Sequence, residues 1–339
     1  DPGSIPGGAF AGQAARLDTE DRLMTMTVTA RQGAAVAIMD RYRIPMPARL
    51  AVEDTGYGGV ADKIEKTLLC SRDLYRAIRP MKTVGILRED PETRVLEVAV
   101  PVGVVAAVLP TTNPTSTAIF KILISLKGRN AVVLSPHPNA IRCTCRTAEV
   151  MYEAARQAGA PEHAICCFRH PTAAGTQELM KHRRTGVILS TGGVGIVRAA
   201  YSSGKPAIGV GPGNVPAFIE RSADVRKAVA DIVRGKTFDN GTLCAAEQAL
   251  VADESLREPV LAELRAHQAY LLNESETQAL GRALLTPQWT VNPQCVGRPA
   301  PVVARVAGFS VPPETRLLVA PLTGVGREHP LSAEKLSPV

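Results

Sequence analysis

Between residues 101 and 202 the chain alternates short apolar runs with longer segments whose apolar positions recur at helical spacing. The runs at 104–109, 131–134, 164–168 and 187–189 are apolar throughout and too short for helices, so each predicts a buried strand. Residues 115–127, 139–157, 176–182 and 194–202 predict the helices between and after them. Strands alternating with helices in this way predict a parallel α/β sheet covered on both faces, with ligands beyond the carboxyl ends of the strands.

On the N-terminal side, residues 19–90 read mainly as helices: a mixed but apolar stretch at 24–43, then 48–54 and 61–78. The glycines of Gly56-Tyr57-Gly58-Gly59 are read as a plain break between the last two. Glu89-Asp90-Pro91-Glu92-Thr93 predicts a turn, and the alternation at 94–100 predicts an extended strand. On the C-terminal side, residues 224–236 predict a helix with Val225, Ala228, Val229, Ile232 and Val233 on one face, and 249–252 a short strand. A helix near 255–269, the apolar segment 302–307 and a strand at 317–320 follow.

At 339 residues, with 45% hydrophobic and 21% charged residues, the chain accommodates two domains with full cores. The first 18 residues read as a flexible tail, 19–219 as the main α/β domain and 220–339 as a second α/β domain. No apolar run approaches the ~18 residues of a membrane span, and the N-terminus lacks a secretory signal pattern, so no membrane partner is expected. The net charge of +7 comes from scattered basic residues, and the 4% aromatic content is low for base stacking. Nucleic acid is therefore not expected as a partner, whereas an anionic cofactor suits the charge. Seven cysteines without zinc-ligand spacing predict no metal centre and no disulfide framework, but a reducing, cytoplasmic setting.

Four strand-end loops and one turn carry the candidate chemistry. In Pro110-Thr111-Thr112-Asn113-Pro114 the asparagine precedes a proline and is held extended. Ser135-Pro136-His137-Pro138 follows the second strand, and Ser190-Thr191-Gly192-Gly193 follows the fourth, where glycines let a phosphate approach N–H groups at a helix start. Gly209-Val210-Gly211-Pro212-Gly213 forms the fourth loop. The turn is Phe238-Asp239-Asn240-Gly241-Thr242-Leu243-Cys244, where Asn240-Gly241 breaks the preceding helix because both residues tolerate positive φ. A cysteine just past such a break, near helical N–H groups, is placed to act as a thiolate nucleophile; the alternative is a buried structural thiol.

Residues 238–248 resemble the catalytic-cysteine segment of the CoA-acylating branch of the aldehyde dehydrogenases, and the resemblance extends over about 48–339. It implies the aldehyde dehydrogenase fold, with a Rossmann-like cofactor domain over 19–219 and a catalytic domain over 220–339, and an extended segment near 94–101 belonging to an oligomerisation element. It implies Cys244 as nucleophile and Asn113 as a side-chain amide for the substrate oxyanion. Thr112, Ser135, Pro136, His137, Thr191, Gly192, Gly193, Val210 and Gly211 become cofactor contacts. Glu334, about ninety residues past Cys244 in Glu334-Lys335-Leu336-Ser337-Pro338-Val339, becomes the carboxylate holding the nicotinamide ribose. Hydrolytic relatives carry a water-activating glutamate at the position matching Val210, and valine cannot accept a proton. The implied reaction is oxidation of a short-chain aldehyde to acyl-CoA with NAD or NADP. A CoA-independent dehydrogenase and an inactive scaffold or microcompartment cargo homologue are the alternatives. Because the family continues past the segment at 334–339, the resemblance implies a catalytic domain that is C-terminally incomplete here. It further implies a homo-oligomer at full length, and it leaves open residence with a microcompartment shell.

Overall fold

The computed structural model describes residues 45–339, so the expectations for the tail and for 24–43 lie outside the described residues. Two compact units are present: residues 45–55 with Lys63–Gly211, and Gly56–Asp62 with Pro212–Val339. The strand Val215–Ile219 pairs with Glu247–Ala252 rather than with the large sheet, which places the division at Gly211–Pro212 instead of after residue 219.

The first unit opens with helices α1 (Pro45–Thr55), α2 (Val60–Leu68, entering from the second unit) and α3 (Leu74–Ile78). A single wide turn at Leu69–Asp73 joins α2 to α3. Residues 85–90, expected within the helical region, instead form strand β1 (Gly85–Asp90), antiparallel to β2 (Val95–Ala99). The Glu89–Thr93 turn was the signal: a hairpin needs a strand on both sides of it. Five parallel strands follow: β3 (Val104–Val108), β4 (Ala131–Ser135), β5 (Ile165–Cys167), β6 (Thr185–Thr191) and β7 (Ala207–Val210). Their order, β5-β4-β3-β6-β7, is that of a Rossmann-like sheet in which the winding reverses between β3 and β6. Helices α4 (Pro114–Lys127), α5 (Ile141–Gln157), α6 (Ala173–Lys181) and α7 (Val194–Tyr201) connect the strands. Both β3 and β4 are buried throughout, as apolar runs in a sheet covered on both faces must be.

Lys121 on α4 is 2% exposed, and its Nζ donates to the carbonyls of Val108 (2.6 Å) and Leu189 (2.8 Å) at the ends of β3 and β6. It thereby ties together the two strands that flank the reversal. Burial pushes its pKa down to about 7. Since an unfolded lysine titrates near ~10.4, the folded state holds fewer protons than the unfolded one from about pH 7 upward, and stability rises with pH across that window. The free-energy gap between wild type and Lys121→Met should therefore widen in favour of wild type between pH 7 and pH ~9.5, read from urea midpoints. Buried cysteines titrate in the same range but cancel between the two proteins. A pH-independent gap would contradict the assignment.

The second unit holds strands β8 (Val215–Ile219), β9 (Glu247–Ala252), β10 (Ala269–Leu271) and β11 (Leu317–Val319), paired in parallel as β8–β9 and β10–β11. Its helices are α8 (Val225–Thr237), α9 (Arg257–Ala266), α10 (Glu274–Leu284) and α11 (Ala300–Val306). Asp224 caps α8 by accepting from the Lys227 N–H at 3.1 Å, and Val229 and Val233 pack with Val260, Leu264 and Leu317. Among the described residues no helix is long and apolar enough to cross a membrane.

Candidate active site

In the second unit, α8 ends in a turn that carries Cys244. Asp239 and Asn240 adopt left-handed conformations (φ 49° and 51°), with Gly241 at φ 72°. Two consecutive non-glycine residues in this region are costly and persist only where the surroundings hold them. Here they are held from several directions. Asp239 Oδ1 accepts from the Gly59 N–H (2.9 Å), Oδ2 accepts from Thr242 Oγ1 (2.5 Å), and the Asp239 N–H donates to Asp62 Oδ2 (2.7 Å). Asn240 Nδ2 donates to the Gly297 carbonyl at 3.0 Å, which also accepts from the Gly58 N–H at 2.9 Å.

The glycines at 56–59 are therefore more than the plain helix break expected from sequence. They bring the early segment Gly56–Asp62 into the second unit, against the cysteine turn. A Cβ on Gly58 would lie 1.8 Å from Asp239 Oδ1, so no other residue fits there. The glycine-rich composition was legible in sequence, but its distant partner was not.

Past the turn, Cys244 is exposed, whereas Cys143 and Cys295 are buried, with burial pushing their thiols up to about 12 and about 11. The Asn240-Gly241 break predicts helical N–H groups beside Cys244. Instead it lies in a turn leading directly into β9, and the nearest bond closes that turn, from the Ala246 N–H to the Leu243 carbonyl (3.1 Å). Across from it, a Cβ on Gly213 would meet the Cys244 carbonyl oxygen at 2.5 Å, so the glycine permits close backbone approach. The Gly213 N–H donates to Glu334 Oε1 at 3.0 Å, and Asn214 Nδ2 donates to the Ser332 carbonyl at 2.8 Å. Glu334 is thus one residue contact from the cysteine backbone. Burial raises its pKa, opposed by the Gly213 N–H and by the ammonium groups of Lys236 and Lys335.

In the first unit, the loop after β3 carries Thr112 and Asn113 at the start of α4. Lys66 Nζ donates to Asn113 Oδ1, and Asn113 Nδ2 donates to Thr112 Oγ1 at 3.2 Å. An ammonium can only donate, so it fixes which end of the amide is oxygen. Lys63 Nζ holds the same loop through the Thr112 carbonyl at 2.6 Å. Both lysines are buried, at 2% and 4% exposure, and sequence reasoning missed them because lysine reads as a surface residue.

The remaining predicted contacts divide. Thr191, Gly192 and Gly193 lie at the end of β6, with the Gly192 N–H donating to the Val210 carbonyl at 3.1 Å. A Cβ on Gly193 would meet nothing within 4 Å, so a ligand can reach this backbone at the reversal of the sheet. Ser190 Oγ beside it is buried without a hydrogen-bond partner. An open glycine turn and an orphaned hydroxyl at the reversal fit the phosphate and polar groups of a dinucleotide. Val210 ends β7 with its side chain exposed, and Gly211 closes the unit. Pro136 is buried, and the Ser135 hydroxyl is turned inward, 2.8 Å from Thr176 Oγ1. His137 is exposed as a residue, its Nδ1 accepting from the Asn139 N–H at 3.1 Å to cap the turn before α5, and partial desolvation of its ring lowers its pKa. Among the described residues no cluster of His, Cys, Asp and Glu is arranged to hold a metal ion.

A Rossmann-like sheet with an open glycine turn, and a unit presenting an exposed cysteine on a braced turn, define a two-part α/β protein with a cysteine-centred site. The chain belongs to the aldehyde dehydrogenase family, which matches residues 52–279. It is 45% identical to the bifunctional aldehyde-alcohol dehydrogenase of Escherichia coli K12 over 307 residues, covering 91% of this chain and 34% of that protein. The chain thus spans about a third of the length of that curated relative. The crystal structure of an acetylating aldehyde dehydrogenase from Geobacillus thermoglucosidasius matches with a TM-score of 0.91 and 50% identity, over 96% of this chain and 73% of that one. The propionaldehyde dehydrogenase of Rhodopseudomonas palustris, solved with bound CoA and an acylated cysteine, matches with a TM-score of 0.82 and 29% identity, over 96% of this chain and 75% of that one.

Proposed function

We propose that the protein is a CoA-acylating aldehyde dehydrogenase, converting a short-chain aldehyde to acyl-CoA with NAD or NADP, and reducing acyl-CoA in reverse. The observation that carries this reading is an exposed Cys244 on a turn braced by Asp239, Gly58 and Gly297, with the Glu334 carboxylate held beside it through Gly213. The Cys244 thiolate attacks the aldehyde carbonyl, forming a carbon–sulfur bond and an oxyanion. The Asn113 amide and the Cys244 N–H are the donors that stabilise this oxyanion. A nicotinamide coenzyme, when bound, supplies the hydride acceptor that turns the hemithioacetal into a thioester. Glu334 would hold the coenzyme ribose, and the Gly192-Gly193 turn would receive its phosphates. Val210 offers no group to deprotonate water, so the thioester on Cys244 waits for the CoA thiol, which needs less activation. The exposed apolar side chains of Ile86, Val95, Leu96 and Val98 on the β1–β2 ribbon support assembly of the full-length protein as a homo-oligomer.

The test is an aldehyde panel assayed with the full-length protein, with and without CoA, following reduced coenzyme and acyl-CoA together. One acyl-CoA per reduced coenzyme is expected; coenzyme reduction indifferent to CoA would reject the reading. Within the same assay, Asn113→Ala should lower kcat by roughly 10²–10³-fold, as loss of one oxyanion donor does. Lys66→Met should lower it by about tenfold, because the amide remains but loses the ammonium that orients it. Equal, small effects on both would remove Asn113 from the mechanism.

A further inference from the structure

We propose that Gln248 is a positioning residue that holds the Cys244 turn in register with the Glu334 loop, so that nucleophile and ribose-binding carboxylate move as one piece. The inference rests on the roles proposed above for Cys244 and Glu334. Gln248 is 6% exposed, at the start of β9, four residues past the cysteine. Its Oε1 accepts from the Lys335 N–H at 3.1 Å and from Lys236 Nζ at 2.9 Å. Its Nε2 donates to the Ala246 carbonyl at 3.3 Å. These bonds complete a ring. From Cys244 the chain runs to Ala246, whose carbonyl binds the Gln248 amide. The amide oxygen binds the Lys335 N–H, Lys335 follows Glu334, Glu334 accepts from the Gly213 N–H, and Gly213 packs on the Cys244 carbonyl.

Two buried lysines frame the ring. Lys236, at the end of α8, reaches the same glutamine oxygen, and Lys335 Nζ donates to the carbonyls of Leu331 and Ala333, both at 2.9 Å. Burial pushes their pKa values down to about 7 and about 8. Only an amide side chain meets all these demands. Its oxygen accepts from two donors and its nitrogen donates to a carbonyl, without adding a buried charge. An apolar side chain there would strand the Lys335 N–H, Lys236 Nζ and the Ala246 carbonyl in a buried setting.

The experiment uses the full-length protein with Gln248→Met, Gln248→Glu, Glu334→Gln and the double variant Gln248→Met/Glu334→Gln. Thermal melts establish folding, and Gln248→Asn, too short to span the ring, replaces the methionine variant if that one does not fold. NADH affinity is read by fluorescence titration, and Cys244 reactivity by the rate of iodoacetamide labelling of its peptide. Gln248→Met should weaken NADH binding roughly tenfold and change the labelling rate several-fold. Gln248→Glu, which keeps the oxygen facing Lys236 and the Lys335 N–H, should recover most of the NADH affinity. In the Glu334→Gln background the Gln248→Met loss of affinity should vanish, because the glutamine acts through that carboxylate. Wild-type affinity and labelling in folded Gln248→Met would overturn the proposal, as would an equal loss in both backgrounds. If wild type binds no NADH, the dehydrogenase reading fails instead. The labelling rate then decides alone: a several-fold change supports the ring, and no change overturns it.

Discussion

Replacing Cys244 by alanine in the full-length protein should abolish aldehyde oxidation, lowering turnover by roughly 10⁴-fold or more, while NADH binding should stay near wild type. The loss is large because the nucleophile itself is removed. Cys143, Cys295 and Cys70 sit behind burial that holds their thiols at about 12, about 11 and about 11. Binding survives because the open glycine turn and Asn113 belong to the first unit, and the backbone of the cysteine turn is fixed by Asp239, Asn240 and Gly58 rather than by the thiol. Cys244→Ser should retain binding equally and recover little turnover, since a hydroxyl is a far weaker nucleophile than a thiolate. Iodoacetamide near neutral pH should label exposed Cys244 before Cys166 or Cys167 of β5. Mass spectrometry finding either β5 thiol modified first, or substantial turnover in the alanine variant, would remove Cys244 from its assigned role.

The parallel sheet was readable because its evidence is local. Buried parallel strands are continuous apolar runs, and β3, β4 and β6 fall where those runs stand, with their helices between. The break at Asp239-Asn240-Gly241 was equally local, since it depends on residues that tolerate positive φ. What sequence did not disclose is what holds these pieces. Among the described residues six lysines, at 63, 66, 121, 127, 236 and 335, are buried, and each donates to a carbonyl or amide oxygen far from it in sequence or across a loop. No periodicity marks them, because a lysine at a core position looks like a lysine at the surface until its acceptors are known. The Gly56–Gly59 loop was misread for the same reason: its partner Asp239 is separated from Gly59 by 180 positions. The ribbon strand β1 was missed because its residues are largely exposed and lack the alternation that burial on one face imposes.

The second large effect concerns the acceptor. Without CoA the acyl-enzyme should accumulate, because Val210 supplies no base and water is a poor nucleophile towards a thioester unless one activates it. Coenzyme reduction should show a burst of about one per active site, followed by much slower turnover, and CoA should restore the steady rate. Val210→Glu should speed the CoA-independent phase, though weakly, since a carboxylate alone does not position water.

The most direct measurement mixes full-length protein with aldehyde and oxidised coenzyme in the absence of CoA, quenches at intervals, and reads the mass of the Cys244 peptide. The account predicts an acyl adduct on that peptide which persists after the burst and disappears, with stoichiometric acyl-CoA, when CoA is added. Rapid formation of free acid with no adduct on Cys244 would mean that another group activates water, and the acylating assignment would be wrong.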